Sequence, residues 1–251
     1  MKRVSQEFDE RSKKYDYIYN SKSSSLLHQE KRVRANIIEE YIEKNLIFKH
    51  EDLILDIGCG FGNILLNLRK RGIKAKMYGV DISKNMINLA KNNLHTLNFD
   101  KIKFVNGNID IVSSKAKTVL SVGVLGYQEN QEEFLQKLCS LVEQEGYLIF
   151  TSGNGDSFLR KTRQFLYKLY CFILKKKNRV KFNSIKDQQI DTIVKENYFH
   201  LEKKFYITFG LGLFPSSFEC KIDNFIKKYL STSKFGKYFS LTVIYILKRN
   251  N

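Results

Sequence analysis

Leu53-Ile54-Leu55-Asp56-Ile57-Gly58-Cys59-Gly60-Phe61-Gly62 begins as a short apolar run and breaks into three alternate glycines. A bounded run such as Leu53-Ile54-Leu55 suits a strand buried on both faces of a parallel sheet. Glycine lets the chain turn sharply and lets its backbone approach a ligand with no Cβ in between. The following stretch, 63–71, carries Ile64, Leu65 and Leu68 at helical spacing. A helix starting there presents its unbonded N–H groups to the turn. Strand, glycine turn and helix together read as a nucleotide-binding element.

A second strand, Met77-Tyr78-Gly79-Val80, ends at Asp81, which follows Gly62 by 19 residues. A carboxylate at about that distance accepts hydrogen bonds from ribose hydroxyls in nucleotide-binding folds. The dinucleotide pattern Gly-x-Gly-x-x-Gly requires glycine at 63, and Asn63 stands there. Asp56, just before the turn, is awkward for a pyrophosphate and suits a cationic amino-acid tail.

Val33 to Leu46 has apolar residues at Val33, Ile37, Ile38, Tyr41 and Ile42, a helical pattern. A helix is expected over 84–94, capped by Ser83, then strands at 102–105 and 118–124. A helix over 134–142 and a strand over 147–151 follow. Strands alternating with helices imply an α/β fold with a parallel sheet covered on both faces. Phe205–Phe209 and Leu241–Leu247 are the remaining strand candidates, giving an antiparallel finish. The whole chain, 1–251, reads as one domain: an N-terminal cap to 32, a cofactor-binding core over 33–153, a basic helical insertion over 154–200 and closing strands over 201–251.

LILDIGCGFG followed by GVDIS resembles the first two motifs of class I S-adenosylmethionine-dependent methyltransferases, over about residues 33–152. The resemblance implies a Rossmann-like seven-stranded sheet with an antiparallel last strand, and S-adenosyl-L-methionine as cofactor. It implies that Gly58, Gly60 and Gly62 line the methionine portion and that Asp81 holds the ribose. Gly107-Asn108-Ile109 matches the third motif, with Asn108 in place of the usual Asp near the adenine; an amide still offers an acceptor. Asp56, Cys59, Ile82, Ile109 and Val122 complete the expected cofactor set. The Asn/Asp-Pro-Pro-Tyr signature of base methylation is absent, which favours a small-molecule acceptor. Phe8-Asp9 and Tyr15-Asp16 resemble the N-terminal lid of enzymes acting on quinones, tetrapyrroles, lipids or glycan-type products. O-methylation of an anionic or lipid-like molecule is the expected reaction, with an RNA or protein methyltransferase as the alternative.

The chain carries 43 Lys+Arg against 26 Asp+Glu, a formal charge of +17. Such an excess attracts phosphates, nucleic acid or anionic membrane surfaces. Lys, Asn and Ile are all abundant, so biased composition accounts for part of it. Residues 157–186 hold ten Lys or Arg and no Asp or Glu. Phe158, Leu159, Phe165, Leu166, Leu169, Phe172 and Ile173 recur there at helical spacing, so the helix has an apolar and a cationic side. It suits a lid over an anionic substrate, an in-plane membrane helix or a cap whose apolar side packs on the sheet. Arg160 and Arg163 are the candidate substrate contacts, with Tyr15 from the cap.

Methyl transfer needs alignment more than a catalytic array. A base is useful where the nucleophile is a hydroxyl. His28, His200 and Tyr127 are the candidates. No Asp/His arrangement suggests a metal. Cysteines 59, 139, 171 and 220 form no Cys-x-x-Cys pair, which fits reduced thiols in a cytoplasm. The N-terminus has no apolar core of a signal peptide, and no apolar run reaches the ~18 residues of a spanning helix. Small molecules are the expected partners, with peripheral membrane contact as a second possibility.

Overall fold

A computed structural model describes residues 2–20, 26–173, 183–209, 230–233 and 235–251; the side chains at 2, 13–20, 26–28 and 170 lie outside it. Cys220 and the basic run 175–181 also fall outside the described residues. The strands are β1 (Leu53–Ile57), β2 (Lys76–Asp81), β3 (Ile102–Asn106), β4 (Ala116–Ser121), β5 (Val142–Gly153), β6 (Phe199–Ile207) and β7 (Thr242–Arg249). The main helices are α1 (Lys2–Asn20), α2 (Leu26–Asn45), α3 (Asn63–Lys70), α4 (Lys84–Leu97), α5 (Gln131–Ser140), α6 (Phe158–Ile173) and α7 (Asp187–Glu196).

The seven strands form one sheet in the order β3-β2-β1-β4-β5-β7-β6. β1 to β5 pair in parallel, with Leu55 opposite both Tyr78 and Val119. β7 runs antiparallel between β5 and β6, with Ile246 opposite Ile149 and Lys203. Successive residues alternate between two cores, as strand geometry requires. Leu55, Val119, Leu148 and Val243 face α5 and α7. Ile54, Leu120, Ile149 and Ile244 face α2, α3 and α4. Reversal of strand order between β1 and β4 leaves a crevice at the carboxyl ends of these two strands, where ligands of open α/β sheets bind.

Three expectations are corrected. β4 ends at Ser121, and Val122–Val124 leaves the sheet because Gly123 takes φ +79°. β6 starts at Phe199, six residues before the expected strand; Phe199-His200-Leu201-Glu202-Lys203-Lys204 is an edge segment largely open to solvent, so its polar composition hides it. The basic insertion expected over 154–200 takes in α7, which buries Ile190, Ile193 and Val194 in the sheet's core. A charged cluster ties it down: Tyr245 OH donates to Asp187, and Lys204 Nζ lies 3.3 Å from the same carboxylate. Removing one member of so buried a pair costs about 3–5 kcal/mol.

Candidate functional site

The glycine turn is held from β2. Gly58 and Cys59 donate to Val80 O at 2.7 and 3.1 Å. Asp81 joins the two segments through its carboxylate: Oδ2 accepts the Gly60 N–H and Oδ1 the Ser83 N–H, both at 2.8 Å. Gly58 has φ +81°, and a Cβ there would stand 2.1 Å from Val124. Gly60 also has positive φ, yet a Cβ on it would meet nothing within 4 Å. It borders open space.

That space is a cavity of about 1440 Å³. Sites for a single drug-sized ligand are typically about 300–1,000 Å³, so this one has room for two molecules. Asp56, Gly58, Cys59, Gly60, Asp81, Ile82, Asn108, Ile109 and Val122 line its inner half. Asp56 is 2% exposed, and its Oδ1 has no hydrogen-bond partner among the described residues. Burial, and then the charge of Asp81, push its carboxyl up to about 8. A buried acceptor without a donor is costly, and a cationic ligand group supplies what it lacks. Burial also raises the Asp81 carboxyl, against the two backbone bonds that favour its charge. Asn108 donates its amide to Asp110 at 2.8 Å.

Helix α1 roofs the cavity. Asp9 Oδ1 accepts the Ser83 hydroxyl at 2.5 Å and the Asn85 N–H at 3.1 Å. Ser5 Oγ donates to Ile82 O at 3.2 Å. A carboxylate at the start of α4 also meets the positive end of that helix. Ser83 caps α4 as expected, accepting the Met86 N–H at 3.2 Å. Phe8 packs edge-on against Tyr127, 5.2 Å between centroids.

The outer half is cationic. Arg11, Lys31, Arg34, Arg160, Arg163 and Lys168 line it, against Glu7, Glu10 and Glu30. Arg11 pairs with Glu7. Burial, then Arg34 and Arg11, bring the Lys31 ammonium down to about 8. Burial brings Arg160 down to about 10.

Of the residues singled out in the sequence, Tyr127, Arg160 and Arg163 join the cofactor set around the cavity. Gly62 does not line it. It caps α3 at φ 82°, where a Cβ would stand 2.5 Å from Phe104, so its role is packing. His200 lies away from the site. It is the second residue of β6, opposite Lys248 at the far end of the sheet, and its ring contacts Asn250 and Glu202. Tyr15 and His28 fall in α1 and α2, with side chains outside the described set. Sequence reasoning missed Arg11, Lys31 and Arg34. The run Glu30-Lys31-Arg32-Val33-Arg34 was the available signal, but it reads as an ordinary solvated helix face. Among the described residues, no group of three His, Cys, Asp or Glu is placed to hold a metal.

The profile of a family described as "Methyltransferase domain" matches residues 48–198. Malonyl-[acyl-carrier protein] O-methyltransferase of Priestia megaterium is 30% identical over 151 residues, 59% of this chain and 50% of that protein. Ribosomal protein L11 methyltransferase of Clostridium botulinum is 30% identical over 95 residues, 38% of this chain and 28% of that protein. The chain thus spans half or less of the length of these two relatives. In fold, it is similar to magnesium protoporphyrin IX methyltransferase of Synechocystis PCC 6803, crystallised with S-adenosylhomocysteine: TM-score 0.68 and 18% identity, over 98% of each chain. Geranyl diphosphate C-methyltransferase of Streptomyces coelicolor gives TM-score 0.61 at 11% identity, over 89% of this chain and 80% of that one. The profile match takes in the glycine turn, Asp81, β1 to β5 and the helices between them, and the chain belongs to the methyltransferase-domain family.

Proposed function

We propose that this protein is an S-adenosyl-L-methionine-dependent methyltransferase acting on a small-molecule acceptor, by O-methylation of an anionic or lipid-like compound. The observation that carries the reading is the joining of two half-sites in one cavity. The inner half presents a buried, unpartnered Asp56 oxygen, the open backbone of Gly60 and the Asp81 carboxylate. These suit, in turn, a cationic amino-acid tail, a chain lying close along the turn and a ribose. The outer half is rich in cations, suited to an anionic acceptor.

S-adenosylmethionine supplies a methyl group already activated by its sulfonium charge. The chain's own work is then to bind, to align and to exclude water. Asp9 clips α1 to the start of α4 at the edge of the cavity. Tyr127 stands inside, its hydroxyl kept protonated by burial, which makes it a positioning donor rather than a base at neutral pH. The relatives named above include an O-methyltransferase and a ribosomal protein methyltransferase; the roof formed by α1 favours a small acceptor over a macromolecule. Calorimetric titration with S-adenosylhomocysteine tests the cofactor half. We expect one saturable site, and no binding would sink the reading.

Peripheral membrane contact has its own support. At about 100° per residue, Phe158, Phe165, Leu169 and Phe172 share one side of α6, and the three phenylalanines are 68, 67 and 83% exposed. Arg160, Gln164 and Tyr167, on the opposite side, face the cavity. The helix therefore turns its polar side inward and its greasy side out, the reverse of a packed cap. No described helix is long and apolar enough to cross a membrane, so any contact made by α6 lies in the bilayer surface. Flotation with vesicles containing anionic lipid should capture the protein, and Phe165→Ser with Phe172→Ser should release it. Equal flotation of both would refute the contact.

A further inference from the structure

Arg34 and Arg160 come from helices more than a hundred residues apart, and both end against glycines. Gly123 lies just past β4, and a Cβ there would stand 2.9 Å from an Arg34 guanidinium nitrogen. Gly153 ends β5, and a Cβ there would stand 2.6 Å from an Arg160 guanidinium nitrogen. Bare backbone at both strand ends is what admits the two guanidiniums. The seats are also tied together: Gly123 N–H donates to Thr151 Oγ1 at 2.7 Å, two residues before Gly153.

Arg160 donates to Leu241 O at 2.9 Å. Arg34 reaches Glu30 at 4.0 Å, and its Nε is buried with no partner among the described residues. Glu30 itself accepts the Thr242 hydroxyl at 3.0 Å. Lys31 and Arg163 line the same part of the cavity. Among the described residues, these four cations line the cavity beside Glu30, with Arg11 and its partner Glu7 next to them. Crowded, partly desolvated cations repel one another, and the Lys31 ammonium is lowered first by burial and then by Arg34 and Arg11. A multiply charged anion among them would relieve it. The planar fork of a guanidinium matches phosphate oxygens two at a time.

We propose that Arg34 and Arg160, seated on Gly123 and Gly153, form a cradle for a phosphate group carried by the acceptor. That the anion belongs to a methyl acceptor rests on the function proposed above; that the cradle binds phosphate does not. The cradle lies across the ends of β4 and β5 from the glycine turn, so a molecule held there by its phosphate extends toward the cofactor half.

The test uses the whole chain and two probes, inorganic pyrophosphate and dodecyl phosphate, titrated calorimetrically with and without saturating S-adenosylhomocysteine. Wild type should bind pyrophosphate at one saturable site. Arg34→Gln and Arg160→Gln should each weaken it at least tenfold. Gly153→Ala removes no charge, but its methyl group displaces the Arg160 guanidinium, and it should weaken binding by a similar factor. Tighter binding of dodecyl phosphate than pyrophosphate would identify an amphiphilic phosphate as the source, and equal binding a soluble one. The cradle is overturned if wild type shows no saturable pyrophosphate site. It is equally overturned if all three variants bind like wild type while keeping their thermal midpoints. Failure of S-adenosylhomocysteine to bind would strike the methyltransferase reading alone, because the titration without it still probes the cradle.

Discussion

Asp81→Ala should weaken S-adenosylhomocysteine binding by at least about 100-fold, the largest loss from any single site residue. Two effects combine. The carboxylate is the acceptor proposed for the ribose, and hydrogen bonds to a charged group contribute about 1.5–3 kcal/mol each. It also fixes the turn, since its two oxygens take the Gly60 and Ser83 N–H groups at 2.8 Å. Without them, Gly60 is free to leave the conformation that opens its backbone to the cavity. Two such interactions lost amount to about 3–4 kcal/mol or more, and ~1.4 kcal/mol is tenfold in affinity. Asp81→Asn preserves the shape and loses the charge, so it should fall between wild type and alanine. Calorimetry measures the affinity, and a thermal melt confirms that the fold persists. Binding by Asp81→Ala within tenfold of wild type would remove Asp81 from the site.

The second large effect is in pH. The Asp56 carboxyl stands at about 8 in the folded chain, against an ordinary value of 3.8. Between these values the folded protein holds a proton that the unfolded chain has lost. Stability should therefore fall as pH rises from about 4 to 8, then level off. Asp56→Asn removes that slope. It should change little near pH 4 and stabilise the empty protein by on the order of a few kcal/mol near pH 8. Ligand binding runs the other way. An ammonium group facing Asp56 favours the charged carboxylate, so binding below pH 8 must expel the proton. Affinity for S-adenosylhomocysteine should then rise about tenfold per pH unit well below pH 8, and ~50-fold in all from pH 6 to pH 8. Denaturant titrations and calorimetry across that range measure both slopes. A flat affinity profile in wild type would separate Asp56 from the ligand.

These two residues lie in the part of the chain whose meaning was local. Asp56, the three glycines and Asp81 sit within one strand-turn-helix-strand unit, and their chemistry follows from spacing and backbone freedom. Even there, packing reassigned one of them: Gly62 serves the Phe104 ring instead of the cavity. Cys59 and Ile82 were legible for the same local reason, as neighbours of the turn and of Asp81. His200 was misjudged because its position in the sequence, just beyond the basic stretch, says nothing about which end of the sheet it occupies. It lies at the start of an edge strand that runs parallel to β5, so it falls opposite the carboxyl ends where the site is built.

The cofactor turn, the alternation of strands and helices and the Ser83 cap were legible along the chain, because each depends on residues a few positions apart and on the intrinsic geometry of glycine, strand and helix. The rest came from long-range packing. It brought Arg34 of α2 and Arg160 of α6 onto glycines at the ends of β4 and β5, and laid Asp9 of α1 on the first turn of α4. It also turned the cationic side of α6 inward. Periodicity shows that a helix has two sides; which of them meets the cavity depends on contacts distant in sequence, such as Arg160 donating to Leu241 O.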